Sequence, residues 1–120
     1  MKRLCLVVVI ILMLILSGCA EKKEIKIGLT VNGNTLENIV KQVPVNMDVY
    51  VEYTQDKSFD ADSVELEIAS GDRTVSGGNN YVNKEDKTVI IPITIPKSGI
   101  YQLKILINGN VVYQTDVVAH

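Results

Sequence analysis

Tryptophan is absent, histidine occurs once as the last residue, His120, and both cysteines, Cys5 and Cys19, fall within the first 19 positions. These shortages exclude a good deal of chemistry. A lone histidine at a chain end completes no Ser-His-Asp or Cys-His arrangement, because a terminal residue is not held in the geometry a general base needs. From Ala20 onward there is no thiol, so that part of the chain forms no internal disulfide and offers no cysteine nucleophile. Copper carriage needs clusters of histidine or exposed methionine, and beyond Cys19 only Met47 remains. Basic clusters are missing as well. Without Lys2 and Arg3 the chain carries 10 basic against 14 acidic side chains, a net charge of about −4. Such a mildly acidic surface argues against nucleic acid and against electrostatic adhesion to membranes.

What is present begins with Met1-Lys2-Arg3 and then Leu4 to Leu16, 13 residues without a polar side chain. That run fits the apolar region of a signal peptide and falls short of the roughly 18 to 20 residues of a spanning helix. It reads as a signal-peptide helix over residues 1–18. The next residues, Leu16-Ser17-Gly18-Cys19-Ala20, resemble the lipobox of bacterial lipoproteins: an aliphatic residue, two small residues and the cysteine. The resemblance implies that the Cys19 thiol receives a diacylglycerol and that a dedicated peptidase cuts just before it. Two or three acyl chains, such as palmitate, would make the anchor durable at about 0.8 kcal/mol per buried methylene. Residues 19–24 form the lipidated tether; five extended residues reach roughly 17 Å, which holds the following domain close to the bilayer. The expected address is the outer face of the cell membrane, or an outer membrane if one exists. Ala20 is not the aspartate that retains some lipoproteins in an inner membrane.

From Ile25 to His120 the apolar residues recur with period two and no stretch reads as helix for more than a turn or two. Ile25, Ile27, Leu29 and Val31 alternate with polar residues and stop at Asn32-Gly33-Asn34, a turn signal. Thr35 to Gln42 fits either one helical turn or a weak edge strand. Val45 to Tyr53, Val64 to Ile68, Val89 to Ile95, Tyr101 to Ile107 and Val111 to Val118 read as strands, the last two joined at Asn108-Gly109. Arg73 to Val82 contains Gly77-Gly78-Asn79-Asn80 and reads as turn-rich, with at most short strands. About seven strands in one hundred residues predict an all-β, antiparallel two-sheet sandwich, with a small closed barrel as the alternative. Pro92 cannot donate to a ladder, so it must face an unpaired side or a bulge, and a neighbour from Arg73 to Val82 should be short or irregular there.

Ser98-Gly99-Ile100-Tyr101-Gln102-Leu103 resembles the Ser-Gly-x-Tyr-x-Cys segment of immunoglobulin-like domains. The resemblance implies an immunoglobulin-like sandwich over residues 25–120, with Tyr101 as a tyrosine corner whose hydroxyl bonds back to the preceding turn. Leu103 stands at the cysteine position, and the strand from Val45 to Tyr53 has no cysteine to oppose it.

Few residues point to chemistry. Glu65 and Glu67 lie two apart on a strand, about 6.5 Å along one face, a spacing reminiscent of glycoside hydrolysis. The polar side of an amphipathic strand explains them better, since no cleft-forming insertion or aromatic platform accompanies the pair. Asp56, Asp60 and Asp62 share a loop that offers oxygen ligands for Ca²⁺, yet the spacing is not that of an EF-hand and Lys57 intrudes. Gly77-Gly78 precedes no helix and does not read as a phosphate cradle. One surface feature stands out. Tyr50, Ile90 and Pro92 share the outward parity of two strands that an immunoglobulin-like order makes neighbours, giving an exposed apolar face of the kind that marks partner sites.

These readings lead to a non-catalytic binding or structural module of the cell envelope, with no cofactor, presenting a sheet or its loops to an envelope protein or glycan. The alternative is a secreted inhibitor of a protease or lysozyme-type enzyme, inserting the Asp56 to Asp62 or Ser76 to Asn80 loop into an active site.

Overall fold

β-Branched residues fit a pleated surface whose two faces see different surroundings, and from Lys23 onward the chain uses them that way. A computed structural model describes residues 22–120. The expected signal helix and Cys19 lie outside the described residues. Eight strands follow one another: β1 (Lys23–Asn32), β2 (Thr35–Val40), β3 (Val49–Gln55), β4 (Ser63–Ser70), β5 (Arg73–Tyr81), β6 (Thr88–Ile93), β7 (Gly99–Ile107) and β8 (Asn110–Ala119). Among the described residues there is no helix.

The strands make two four-stranded sheets, in the orders β2-β1-β3-β6 and β5-β4-β7-β8, and every ladder within them is antiparallel. The sheets do not close on each other, so the fold is a sandwich and not the barrel. Asn108 and Gly109 both take positive φ, 53° and 80°, as the tight turn between β7 and β8 requires.

The core is the set of inward residues that alternation selects. Val49, Val51 and Tyr53 face Leu66, Ile68, Leu103 and Ile105, all at most 1% exposed. Val43, Val64, Ile91 and Ile95 are likewise fully buried. Each such side chain contributes roughly 1.5–3 kcal/mol on burial. At one end Val43 forms a parallel bridge with Ala119. Its N–H donates to the Val118 carbonyl at 2.8 Å, and its carbonyl accepts the His120 N–H at 2.9 Å. The last residue is therefore tied down by its backbone, while its side chain is exposed.

Several expectations need correction. There are eight strands, not seven, because Thr35 to Val40 returns along β1 as a strand of six residues and Arg73 to Tyr81 is a full strand of nine residues. The Gly-Gly-Asn-Asn run reads as a turn locally, yet β4 has a free edge that needs a partner and β5 supplies it from Ser63↔Tyr81 to Ser70↔Arg73. Gly78 serves close approach: a Cβ there would stand 3.1 Å from Ile91 Cγ2 in the other sheet. Strand β3 starts at Val49, not Val45; Asn46 takes φ 57°, which breaks the extended run and leaves Met47 46% exposed.

Candidate functional site

The outward faces of β3 and β6 meet in register, with Tyr50 opposite Pro92 and Glu52 opposite Ile90. Tyr50 and Ile90 are half-buried and Pro92 is exposed. The residues chosen by parity thus lie side by side. They form the floor of a groove of about 610 Å³, within the roughly 300–1,000 Å³ typical of small-ligand sites.

Two walls rise from this floor. The first is the β1–β2 hairpin, which bends over the outer face so that Leu36, buried, rests on Gly28. Gly28 points outward and has no side chain, so the hairpin can lie close enough for Val31, Gly33 and Asn34 to border the groove. The second wall comes from the other sheet and the segment after it: Asn80, Tyr81, Val82 and Asp86. Tyr81 is 92% exposed. The Asp86 carboxylate accepts the Asn83 N–H at 2.9 Å, which folds this segment into a tight turn.

Asn80 also closes the seam between the sheets, where its side-chain amide donates to the Ile90 carbonyl. This contact fixes the orientation of β6. Carbonyl and N–H of one residue point to the same side of an antiparallel strand, and the side alternates along it. Since the Ile90 carbonyl faces away from β3, Pro92, two residues on, also turns its ring nitrogen away. The missing N–H therefore falls on the unpaired side, as expected of a strand proline. The neighbour is not short or irregular, however: β5 belongs to the opposite sheet and meets β6 through side chains and glycine.

The other candidates are dispersed. Glu65 and Glu67 occupy the outer face of β4; Glu67 stands between Gly77 and Lys104 and accepts a 3.1 Å bond from the Thr74 hydroxyl. Asp56 accepts the Lys22 N–H at 3.0 Å, and the Asp62 carbonyl accepts the Val82 N–H at 2.9 Å. Among the described residues, no three Asp, Glu, His or Cys side chains converge on a metal position. The Asp56 to Asp62 loop is packed down rather than raised. Phe59 and Ala61 are buried, and the N–H groups of Phe59 and Asp60 donate to Asp86 and Lys84 carbonyls at 2.8 and 2.9 Å. Ser76 to Asn80, expected as an inserting loop, lies within β5. Tyr101 is buried at the start of β7, and its hydroxyl donates to the Lys97 carbonyl at 2.6 Å, closing the corner before that strand.

Sequence reasoning missed the walls. Tyr81, Asn80 and Asn34 carry no local signal, because each becomes part of the groove only through strand pairings that bring distant segments together.

No family model matches the chain, and no curated relative matches it either. Among solved structures, an immunoglobulin-like protein from Pseudomonas aeruginosa superimposes with a TM-score of 0.50 at 9% sequence identity, over 85% of this chain and 98% of that one. Identity this low carries the fold alone. In fold, then, the chain is an all-β sandwich of two antiparallel four-stranded sheets, similar to an immunoglobulin-like protein.

Proposed function

We infer that this chain is a lipid-anchored module of a bacterial cell envelope, which binds a partner on the outer face of β3 and β6 and performs no catalysis. The observation that carries the anchor is the order of residues ahead of the sandwich. Two cations, 13 apolar residues and Leu16-Ser17-Gly18-Cys19 follow in register, and β1 begins at Lys23. The tether from Cys19 to the first strand is therefore only a few residues long. The binding role is supported by the groove over Tyr50, Ile90 and Pro92. The non-catalytic reading is supported by the carboxylates, which among the described residues are scattered over separate faces.

The test uses the full chain expressed in a bacterial host. Wild type should partition into the detergent phase, and its amino-terminal peptide should begin at Cys19 with the mass of the acyl chains added. Cys19→Ser should move to the aqueous phase. Equal partition of the two, with no acyl mass, would overturn the anchor. The binding role is tested by capture from the native envelope, with a Tyr50→Ala, Ile90→Ser variant as control. Equal capture by both would remove this face from the proposal.

A further inference from the structure

The chain has six aromatic residues, five Tyr and one Phe. Tyr53, Phe59 and Tyr101 are buried. Tyr113 is half-buried against the core, its ring 5.7 Å from that of Tyr53. The two that remain, Tyr50 and Tyr81, both line the groove. An amphipathic ring left 92% in water contributes nothing to packing. Its face is available to a ligand.

The rest of the lining narrows the ligand class. Asp86 is its only charged residue; no lysine or arginine lines the groove, so a phosphate or other polyanion finds no counter-charge. An extended peptide normally binds a sheet by adding a strand to its edge. On β6 that route is closed, since Asn80 holds the Ile90 carbonyl and Pro92 has no N–H to offer. Recognition must then run through side chains. Asn34, Asn80 and Thr88 carry neutral donors and acceptors beside the two tyrosine rings. Sugar rings present that same combination: C–H faces that sit on an aromatic face, whose quadrupole is negative, and a rim of hydroxyls that donate and accept.

We propose that the groove over Tyr50, Ile90 and Pro92 binds a neutral glycan chain, with Tyr81 as the stacking platform and Asn34 and Thr88 as hydrogen-bonding partners. This rests on the binding-module reading above and names its ligand. The groove runs along β6 from Pro92 to Thr88, and Thr88 pairs with Thr54, which pairs with Glu24, so its Thr88 end lies near the start of β1 while Gly33 and Asn34 border it at the other end of that strand.

The test is titration of the detergent-purified full chain with the hexamers of β-1,4-linked N-acetylglucosamine, glucose and mannose. Heparin and decaproline serve as the polyanion and the peptide probe. At least one neutral hexamer should bind, and Tyr81→Ala should weaken it roughly tenfold. Ile100→Ser, on the outer face of the opposite sheet, should leave it unchanged. Affinity should hold as salt rises from about 50 to about 500 mM, because no ion pair is involved. If none of the hexamers binds, or Tyr81→Ala binds as wild type does, the glycan proposal fails. Tyr81-dependent binding of decaproline alone would replace it with a peptide site. If no hexamer binds but an envelope protein is captured and lost with Tyr50→Ala, Ile90→Ser, the glycan fails and the binding module stands.

Discussion

Leu36 occupies the space that a side chain on Gly28 would need: a Cβ there would stand 2.5 Å from Leu36 Cγ and 2.7 Å from the Glu37 carbonyl oxygen. A leucine can change rotamer, but the carbonyl belongs to the backbone of β2 and moves only with the strand. Gly28→Ala should therefore lift the β1–β2 hairpin from the outer face and cost roughly 1–3 kcal/mol, the range for overpacking. Amide exchange should accelerate selectively from Thr35 to Val40. Adding Leu36→Ala should not restore stability, because the Glu37 oxygen stays where it is and the burial of the leucine is lost as well. Urea denaturation with exchange by NMR reads both effects, and a Gly28→Ala protein as stable as wild type would refute the contact.

That contact also shows where sequence reading stopped. The alternation of Val64-Glu65-Leu66-Glu67-Ile68 and of Tyr101 to Ile107 placed strands and inward residues directly, since period two maps onto the faces of a sheet. Asn108-Gly109 marked its turn because few residue pairs accept positive φ twice in succession. Tyr50, Ile90 and Pro92 were legible by the same parity. The hairpin over them was not. Gly28 carries no local sign that β2 will lie across it, and the Gly-Gly-Asn-Asn run in β5 has the composition of a turn. Its extended form is imposed by the free edge of β4 and by the approach of Ile91 to Gly78. Local composition lost to pairing across the sheets.

Tyr101 offers a second test. Its hydroxyl donates to the Lys97 carbonyl at 2.6 Å while the ring packs in the core. Tyr101→Phe keeps the ring and deletes the bond, so the expected cost is about 0.5–1.5 kcal/mol. Tyr101→Ala loses the ring as well and should cost roughly 3–5 kcal/mol. Equal losses in thermal melts of the two variants would show that the hydroxyl, not the packing, carries the position.

The buried pair Tyr53 and Gln55 ties the core to the Asp56 to Asp62 loop. The Tyr53 hydroxyl donates to Gln55 Oε1 at 2.7 Å, and the Gln55 amide donates to the Lys57 carbonyl at 2.9 Å. Either single change, Tyr53→Phe or Gln55→Met, leaves a buried polar partner short of a bond. The double variant removes both partners together, so its loss should fall below the sum of the single losses by about 0.5–3 kcal/mol. A strictly additive cycle in chemical denaturation would mean that the two residues act independently.

Asn80 gives a prediction with a pH signature. Its amide donates to the Ile90 carbonyl across the seam between the sheets, so the position needs a donor. Asn80→Ala removes the bond at a cost of about 1 kcal/mol. Asn80→Asp should be worse near neutral pH, because an ionised carboxylate only accepts and would face a carbonyl oxygen. Protonation restores an O–H that can donate, so folding favours the neutral acid and raises the pKa of the introduced group above its unfolded value of about 3.9. The benefit of that proton is fully present below the unfolded pKa and is lost as pH rises through the folded one. Relative to Asn80→Ala, the aspartate variant should therefore regain stability as pH falls from roughly 6 to 4. Urea midpoints for the two variants across that window decide the matter: a constant difference between them would mean that position 80 does not donate to Ile90, and the seam would need another explanation.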